Sequence, residues 1–223
     1  MKKEIRSFMK KATASADRLL YRNTHFVVIS NNCWGGEIYR RLGMQYNTPF
    51  IGLYIYGPDY IELLKNLAYY LSIKLSFVKT SKWVSSPVSY PLGILDDVEL
   101  HFIHYESNEL ALAKWNRRLQ RMNKFSDMDN YFFKIDDRDL SDENIIMSFH
   151  NLPYRNKVSF GVDRLSAKNH FQLEGFLHRE KTVPDGIALY AITFKYFDVL
   201  KWVTTGRVTS NLYSKVKAAA NLV

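Results

Sequence analysis

The sequence predicts an α/β protein, a three-layer α/β/α arrangement around a mostly parallel, Rossmann-like sheet with a less regular C-terminal part. Three observations carry this. The stretch His25 to Gly36, HFVVISNNCWGG, reads as a short buried strand that stops in a polar, Gly-rich elbow before the helical run Glu37 to Leu42. Strand-like and helix-like runs then alternate through residue 78, which asks for parallel pairing and right-handed crossovers. The 223 residues are 47% hydrophobic and 15% aromatic, enough to pack a core rather than stay disordered.

Residues 1–24 stand apart as a basic amphipathic segment, with 25–223 as a single α/β domain. Ile5, Phe8, Met9, Ala12, Ala16, Leu19 and Leu20 recur at spacings of three and four, which predicts a helix over 3–22. The formal charge is +9, and Lys2, Lys3, Arg6, Lys10, Lys11, Arg18 and Arg22 against Glu4 and Asp17 place +5 of it here. A charge so concentrated argues against a nucleic-acid-binding body. It argues for an arm that touches an anionic membrane surface or a polyanion; the competing expectation is a terminal helix packed on the domain. The single cysteine excludes an internal disulfide framework and a multi-Cys zinc site. With no unbroken apolar leader and no apolar run of roughly 20 residues, the expected location is the cytoplasm, with peripheral contact at the inner face of the membrane through residues 1–22.

Within the domain, Phe26 to Ser30 is the first expected strand and Phe50 to Ile55, after Asn47-Thr48-Pro49, the second. Gly57-Pro58-Asp59 starts a helix with Tyr60, Leu63, Leu64, Leu67 and Leu71 on its apolar face, and Leu75 to Val78 is the third strand. Residues 79–91 are a loop. A strand through 97–102 follows, then a helix from Glu106 to Lys124 whose buried stripe is Leu112, Trp115, Leu119 and Met122. Tyr131 to Ile135 is a strand ending in Asp136-Asp137, Ser141 caps a short helix through Phe149, and Lys157 to Gly161 returns to strand. Phe171 to Leu173 and Ala188 to Phe194 are read as strands, and Tyr196 to Val203 fits either state.

Four sets of residues have the chemistry of a site. Asn31, Asn32, Gly35 and Gly36 sit at the elbow, where a helix N-terminus favours an anion and amides can meet a hydroxyl-rich ligand; forming the turn is their bland role. Without GxGxxG or GKS/GKT, a dinucleotide site or P-loop is not expected. Asp97, Glu99 and His101 share one face of their strand, which suits acid–base work or a divalent metal, or else meets water. Cys33 at the helix start would gain thiolate character with His101 as its base; the alternative is a small buried side chain. Lys114, Arg117, Arg118, Arg121 and Lys124 form a cationic stripe that suits phosphate or a polyanionic chain if it is more than a solvated face.

The strings ISNNCWGGEIYRRLGMQYNTPFIGLYI, PDYIELLKNLAYYL, YPLGILDDVELHFIHYES, KWNRRLQRM and NLPYRNKV, in this order over about residues 25 to 160, resemble a bacterial family of unknown function (domain of unknown function 1919). Its members are often labelled exopolysaccharide biosynthesis proteins. Residues 1–24 and those after about 165 lie outside these motifs. The resemblance implies an α/β fold and a setting in exopolysaccharide or capsule production, and carries over no catalytic residue. Two functions of different class follow. One is a transferase that uses a phosphate-bearing donor such as a nucleotide sugar, with polysaccharide or its precursor as acceptor. The other is a non-catalytic module that binds anionic glycan or docks on an assembly complex.

Overall fold

A computed structural model describes residues 2–22, 24–176 and 181–223; positions 1 and 23 of the N-terminal segment fall outside it. The protein is a mixed α/β structure with two sheets. Strands β1 (Val27–Ser30), β5 (Tyr131–Asp136), β6 (Asn156–Gly161) and β7 (His170–Gln172) form a parallel sheet in the order β1-β5-β6-β7. Strands β2 (Ser76–Val78), β3 (Leu92–Leu95) and β4 (Val98–His101) form an antiparallel sheet. Helices α1 (Lys2–Leu20), α2 (Trp34–Leu42), α3 (Gly57–Lys65), α4 (Leu67–Ser72), α5 (Asn108–Met122), α6 (Glu143–Asn151), α7 (Gly186–Thr193), α8 (Val199–Thr205) and α9 (Leu212–Ala219) complete the described elements.

The period of two along β1 separates two cores. Val27 and Ile29 join Phe133 and Ile135 in a core with Tyr60, Leu64, Leu100, Phe102, Trp115 and Phe149. Phe26 and Val28 join Phe132, Val158 and Phe160 in another with Trp34, Ile38, Leu189 and Trp202. The parallel strands are thus apolar on both faces, as a sheet covered on both sides must be.

Several expectations are corrected. The partner of β1 is β5, not a neighbouring βαβ strand, and the segment between them builds the antiparallel sheet. The cause is the two-residue connection Asp96-Asp97 between β3 and β4, with Asp96 at φ 55°, which folds the chain straight back on itself. Phe50 to Ile55 is extended but outside both sheets. It joins them: Ile55 N donates to Asn31 O at 2.8 Å, and Tyr54 and His101 exchange both backbone hydrogen bonds at 3.0 Å. Residues 188–193 are helical in α7 because Asp185 accepts from Ile187 N at 2.9 Å and Ala188 N at 3.1 Å, a cap that an unbroken apolar run hides from periodicity. Residues 199–205 likewise settle as helix α8 behind the Asp198 cap. The cap of α6 is Asp142, which accepts from Ile145 N at 2.9 Å, and not Ser141.

Helix α1 is fixed to the body. Its Asp17, fully buried, pairs with Arg41 of α2 at 2.7 Å and Lys217 of α9 at 2.9 Å, and Lys10 and Thr13 donate to the carbonyls of Val223 and Leu222.

Candidate functional site

The carboxyl ends of adjacent parallel strands are where open α/β sheets place ligands, and here β1 and β5 end on a buried polar cluster. Lys134 and Asp136 lie two apart on one face of β5, both fully buried and in contact. Asn31 donates to Asp136 Oδ1 at 3.2 Å and Asn32 to Asp136 Oδ2 at 2.7 Å, while Lys134 Nζ reaches Asn31 Oδ1 at 3.2 Å and Asn32 Oδ1 at 3.1 Å. Burial pulls the Lys134 ammonium below its usual range and the neighbouring Asp136 opposes this. Asn31 and Asn32 therefore spend their amides on this pair, and Asn32 also accepts from Trp34 N at 3.3 Å. The elbow is shorter than the sequence suggests, because α2 begins at Trp34 and takes in both glycines. Gly35 faces β1, where a Cβ would meet Val28 Cγ1 at 2.9 Å, so it serves helix–strand packing.

Above this floor lies a cavity of about 540 Å³ bordered by Asn32, Cys33, Tyr54, His104, Arg138, Asp139 and Asp185. A neighbouring recess of about 250 Å³ shares Cys33 and His104 and adds Gly36, Arg40, Lys114 and Arg118. Asp139 and Leu140 both adopt left-handed backbone, at φ 55° and 61°, a conformation that a branched, bulky residue rarely accepts. Burial, reinforced by the nearby Asp136, raises the Asp139 carboxyl to about 6. Arg138 donates to Val183 O at 3.1 Å, which anchors it at the rim. Asp137 is a tie: it accepts from Val162 N at 2.7 Å and Val183 N at 2.8 Å, and burial lifts it to about 6 as well. A larger cavity, about 770 Å³, lies beside Tyr131 at the opposite end of β5. It gathers no acid–base pair, and the strand ends that receive ligands point away from it.

Asp97, Glu99 and His101 are not brought together as three. Asp97 lies in the β3–β4 turn, where its carboxylate accepts from Tyr70 at 2.7 Å. Glu99 and His101 are buried on β4, with Glu99 Oε2 3.4 Å from His101 Nε2. Glu99 also accepts from Ser81 Oγ at 2.6 Å and Lys82 N at 2.7 Å. Burial keeps the imidazole below its ordinary pKa against the pull of Glu99. His101 Nδ1 lies 3.1 Å from the Tyr90 hydroxyl, itself 3.0 Å from that of Tyr54. The pair thus meets the cavity through Tyr54, on whose ring His101 also stacks at 4.6 Å. Among the described residues, no three His, Cys, Asp or Glu are placed to hold a metal ion.

Cys33 borders both cavities, but burial and the adjacent Glu37 push its thiol up to about 11, opposite to the effect expected of a helix start. The cationic stripe is divided. Arg118 is buried, donating to Ile51 O at 3.2 Å with its guanidinium 4.9 Å from the Tyr46 ring, and Arg121 donates to Tyr46 O at 2.8 Å. Arg117 is exposed. Sequence reasoning missed Arg138, Asp139 and Asp185. The signal for Arg138 and Asp139 was the run Asp136-Asp137-Arg138-Asp139 closing a strand, together with Lys134, a lone cation inside the apolar run Tyr131 to Ile135.

The model of a family described as a domain of unknown function (DUF1919) matches residues 4–204. The chain belongs to this family. An uncharacterized protein of Haemophilus influenzae is 37% identical over 185 residues, covering 81% of this chain and 84% of its own length. The DUF1919 match reaches past the motifs of 25–160 in both directions, so it takes in α1 from residue 4 and α7 as well as the elbow.

Proposed function

We propose that this DUF1919 protein is a transferase of exopolysaccharide or capsule assembly, acting in the cytoplasm on a phosphate-bearing donor such as a nucleotide sugar. The parallel sheet, with helices over both faces, is read as three-layer and Rossmann-like. The observation that carries the proposal is the placement of Arg138 and Asp139 in one cavity with the start of α2, at the carboxyl ends of β1 and β5. The guanidinium and the helix N-terminus suit the donor phosphate. Asp139, with a carboxyl near 6, is mostly ionised at neutral pH and close enough to it to accept a proton from an acceptor hydroxyl while the phosphate leaves. Arg138 then balances the charge gained by the leaving phosphate. Polysaccharide or its precursor supplies the hydroxyl.

The test is a thermal-shift screen against nucleotide sugars, acyl-CoA and polyol phosphates, with and without magnesium or manganese. Ligand at 100 times Kd adds about 2.7 kcal/mol, which raises Tm by several degrees. The shift should disappear in Arg138→Gln and persist in Asp139→Asn, with turnover in the latter down about 10²- to 10⁴-fold. If no phosphate-bearing donor moves Tm while an anionic polysaccharide does, the protein is the non-catalytic glycan-binding module instead.

A further inference from the structure

Amphipathic helices that belong to a domain normally bury their apolar stripe. Helix α1 does the reverse. The residues that fasten it to the body are Lys10, Thr13, Asp17 and Arg18, which donates to Arg41 O at 3.3 Å, all on its polar side. The centre of its apolar stripe lies about 110° around the helix from the centre of the Lys10, Thr13 and Asp17 contacts at 3.6 residues per turn. That stripe is open along its whole length: Ile5 is 54% exposed, Phe8 73%, Met9 43%, and Leu19 and Leu20 66% each. Arg6 and Lys11 are exposed on the same 19-residue helix, one beyond each edge of the stripe, and Lys3 is exposed further round.

We infer that α1 is a membrane-surface helix that lays its apolar stripe into an anionic lipid interface while its polar side stays fastened to α2 and α9. The charge chooses the occupant. A second protein surface would need only apolar complementarity, whereas cations flanking an apolar stripe match a layer of anionic headgroups over acyl chains. The helix, about 28 Å long at 1.5 Å per residue, lies along the surface. Among the described residues no helix is long and apolar enough to cross a membrane. The inference is independent of the reaction proposed above, since no cavity residue belongs to α1.

The experiment is vesicle flotation of the full chain at two salt concentrations, with phosphatidylcholine alone and with a phosphatidylcholine/phosphatidylglycerol mixture, beside size-exclusion chromatography. The wild type should float with the anionic vesicles at least tenfold more than with the zwitterionic ones, and less at high salt. Phe8→Ser/Leu19→Ser/Leu20→Ser should lose flotation with Tm unchanged, because those side chains meet solvent. Arg6→Gln/Lys11→Gln should lose the preference for anionic vesicles. A wild type that ignores anionic vesicles, or a triple variant that floats as well as wild type, overturns the inference. So does a wild-type dimer that the triple variant turns into a monomer without any vesicle binding, since a second copy would then be the occupant.

Discussion

Glu99 with His101 on β4, and Asp139 with Arg138 beyond β5, each set a carboxylate beside a basic partner, yet their surroundings differ. Glu99 and His101 are closed off, 3% and 0% exposed; Ser81 and Lys82 engage Glu99 and Tyr90 engages His101 Nδ1, while His101 Nε2 has only Glu99 Oε2 at 3.4 Å and no hydrogen-bond partner. Asp139 and Arg138 border a cavity, and Asp139, its carboxyl raised to about 6, adjoins the strained left-handed backbone of Leu140. A buried set of mostly paired polar groups, closed off from any cavity, serves the fold, whereas strain and an uncomfortable charge at a cavity persist where something other than stability maintains them. The two regions should therefore respond to substitution with opposite signs. Their link, Tyr90 to Tyr54, makes the closed pair a support for the open one.

The largest effect is expected beneath the cavity. Lys134→Met leaves the Asp136 carboxylate buried without its cation and should cost about 3–5 kcal/mol in urea denaturation. Adding Asp136→Leu should recover only part of it, because the buried Asn31 and Asn32 amides then lose their acceptor. If the single variant costs under about 1 kcal/mol, the charged floor is not what holds the strand ends. Next is His101→Ala, which empties a fully buried site stacked on Tyr54 at 4.6 Å and should cost about 2–4 kcal/mol, with ligand affinity falling as Tyr54 loses its register. Unchanged ligand binding at lowered Tm would make the β4 pair purely structural.

Asp139→Asn should run the other way. Its folded pKa of about 6 lies above the ordinary 3.8, so the native state holds more protons than the unfolded state between those values. Stability is therefore lost as pH rises through that window. The amide removes this loss, and after allowing for partial exposure the gain at pH 7 should be on the order of 1–2 kcal/mol, absent at pH 4. His150 has the opposite slope: burial takes it from 6.5 to about 4, so its contribution is lost as pH falls through that range. A pH series on wild type and Asp139→Asn separates the two, and an Asn variant less stable at pH 7 than wild type would contradict the assignment of strain to the open site.

What the sequence made legible follows from the range of each signal. Strands β1, β5 and β6 and helix α5 announce themselves by local period, and the elbow did lie at the carboxyl end of a buried strand. The pairing of β1 with β5 did not, because it depends on where the segment between them goes, and Phe50 to Ile55 reads identically as a strand or as the extended connection it is. At the site, nothing in one sequence reveals that Lys134 and Asp136 engage the amides of Asn31 and Asn32. Arg118 was read as part of a cationic face because a wheel does not show the Tyr46 and Tyr105 rings that enclose it. The left-handed backbone at Asp139 and Leu140 carries no glycine to announce it.

The smallest expected effect tests that last feature most directly. Leu140 is 56% exposed, so removing its side chain forfeits little apolar burial. At φ 61° its Cβ crowds the backbone, a cost of roughly 1–2 kcal/mol that glycine escapes. Glycine also adds freedom to the unfolded chain, worth about 0.5–1 kcal/mol in the other direction. Leu140→Gly should therefore stabilise by about 0.5–1 kcal/mol, read as a raised denaturation midpoint at unchanged slope. If the strain serves the cavity, the same variant should weaken ligand binding, because Gly57 N, which donates to Asp139 O at 2.7 Å, would be tied to a looser turn. Gain of stability with loss of binding is the signature of a functional site. A gain with binding intact would assign the left-handed pair to chain reversal alone and leave Arg138 and the start of α2 to carry the site.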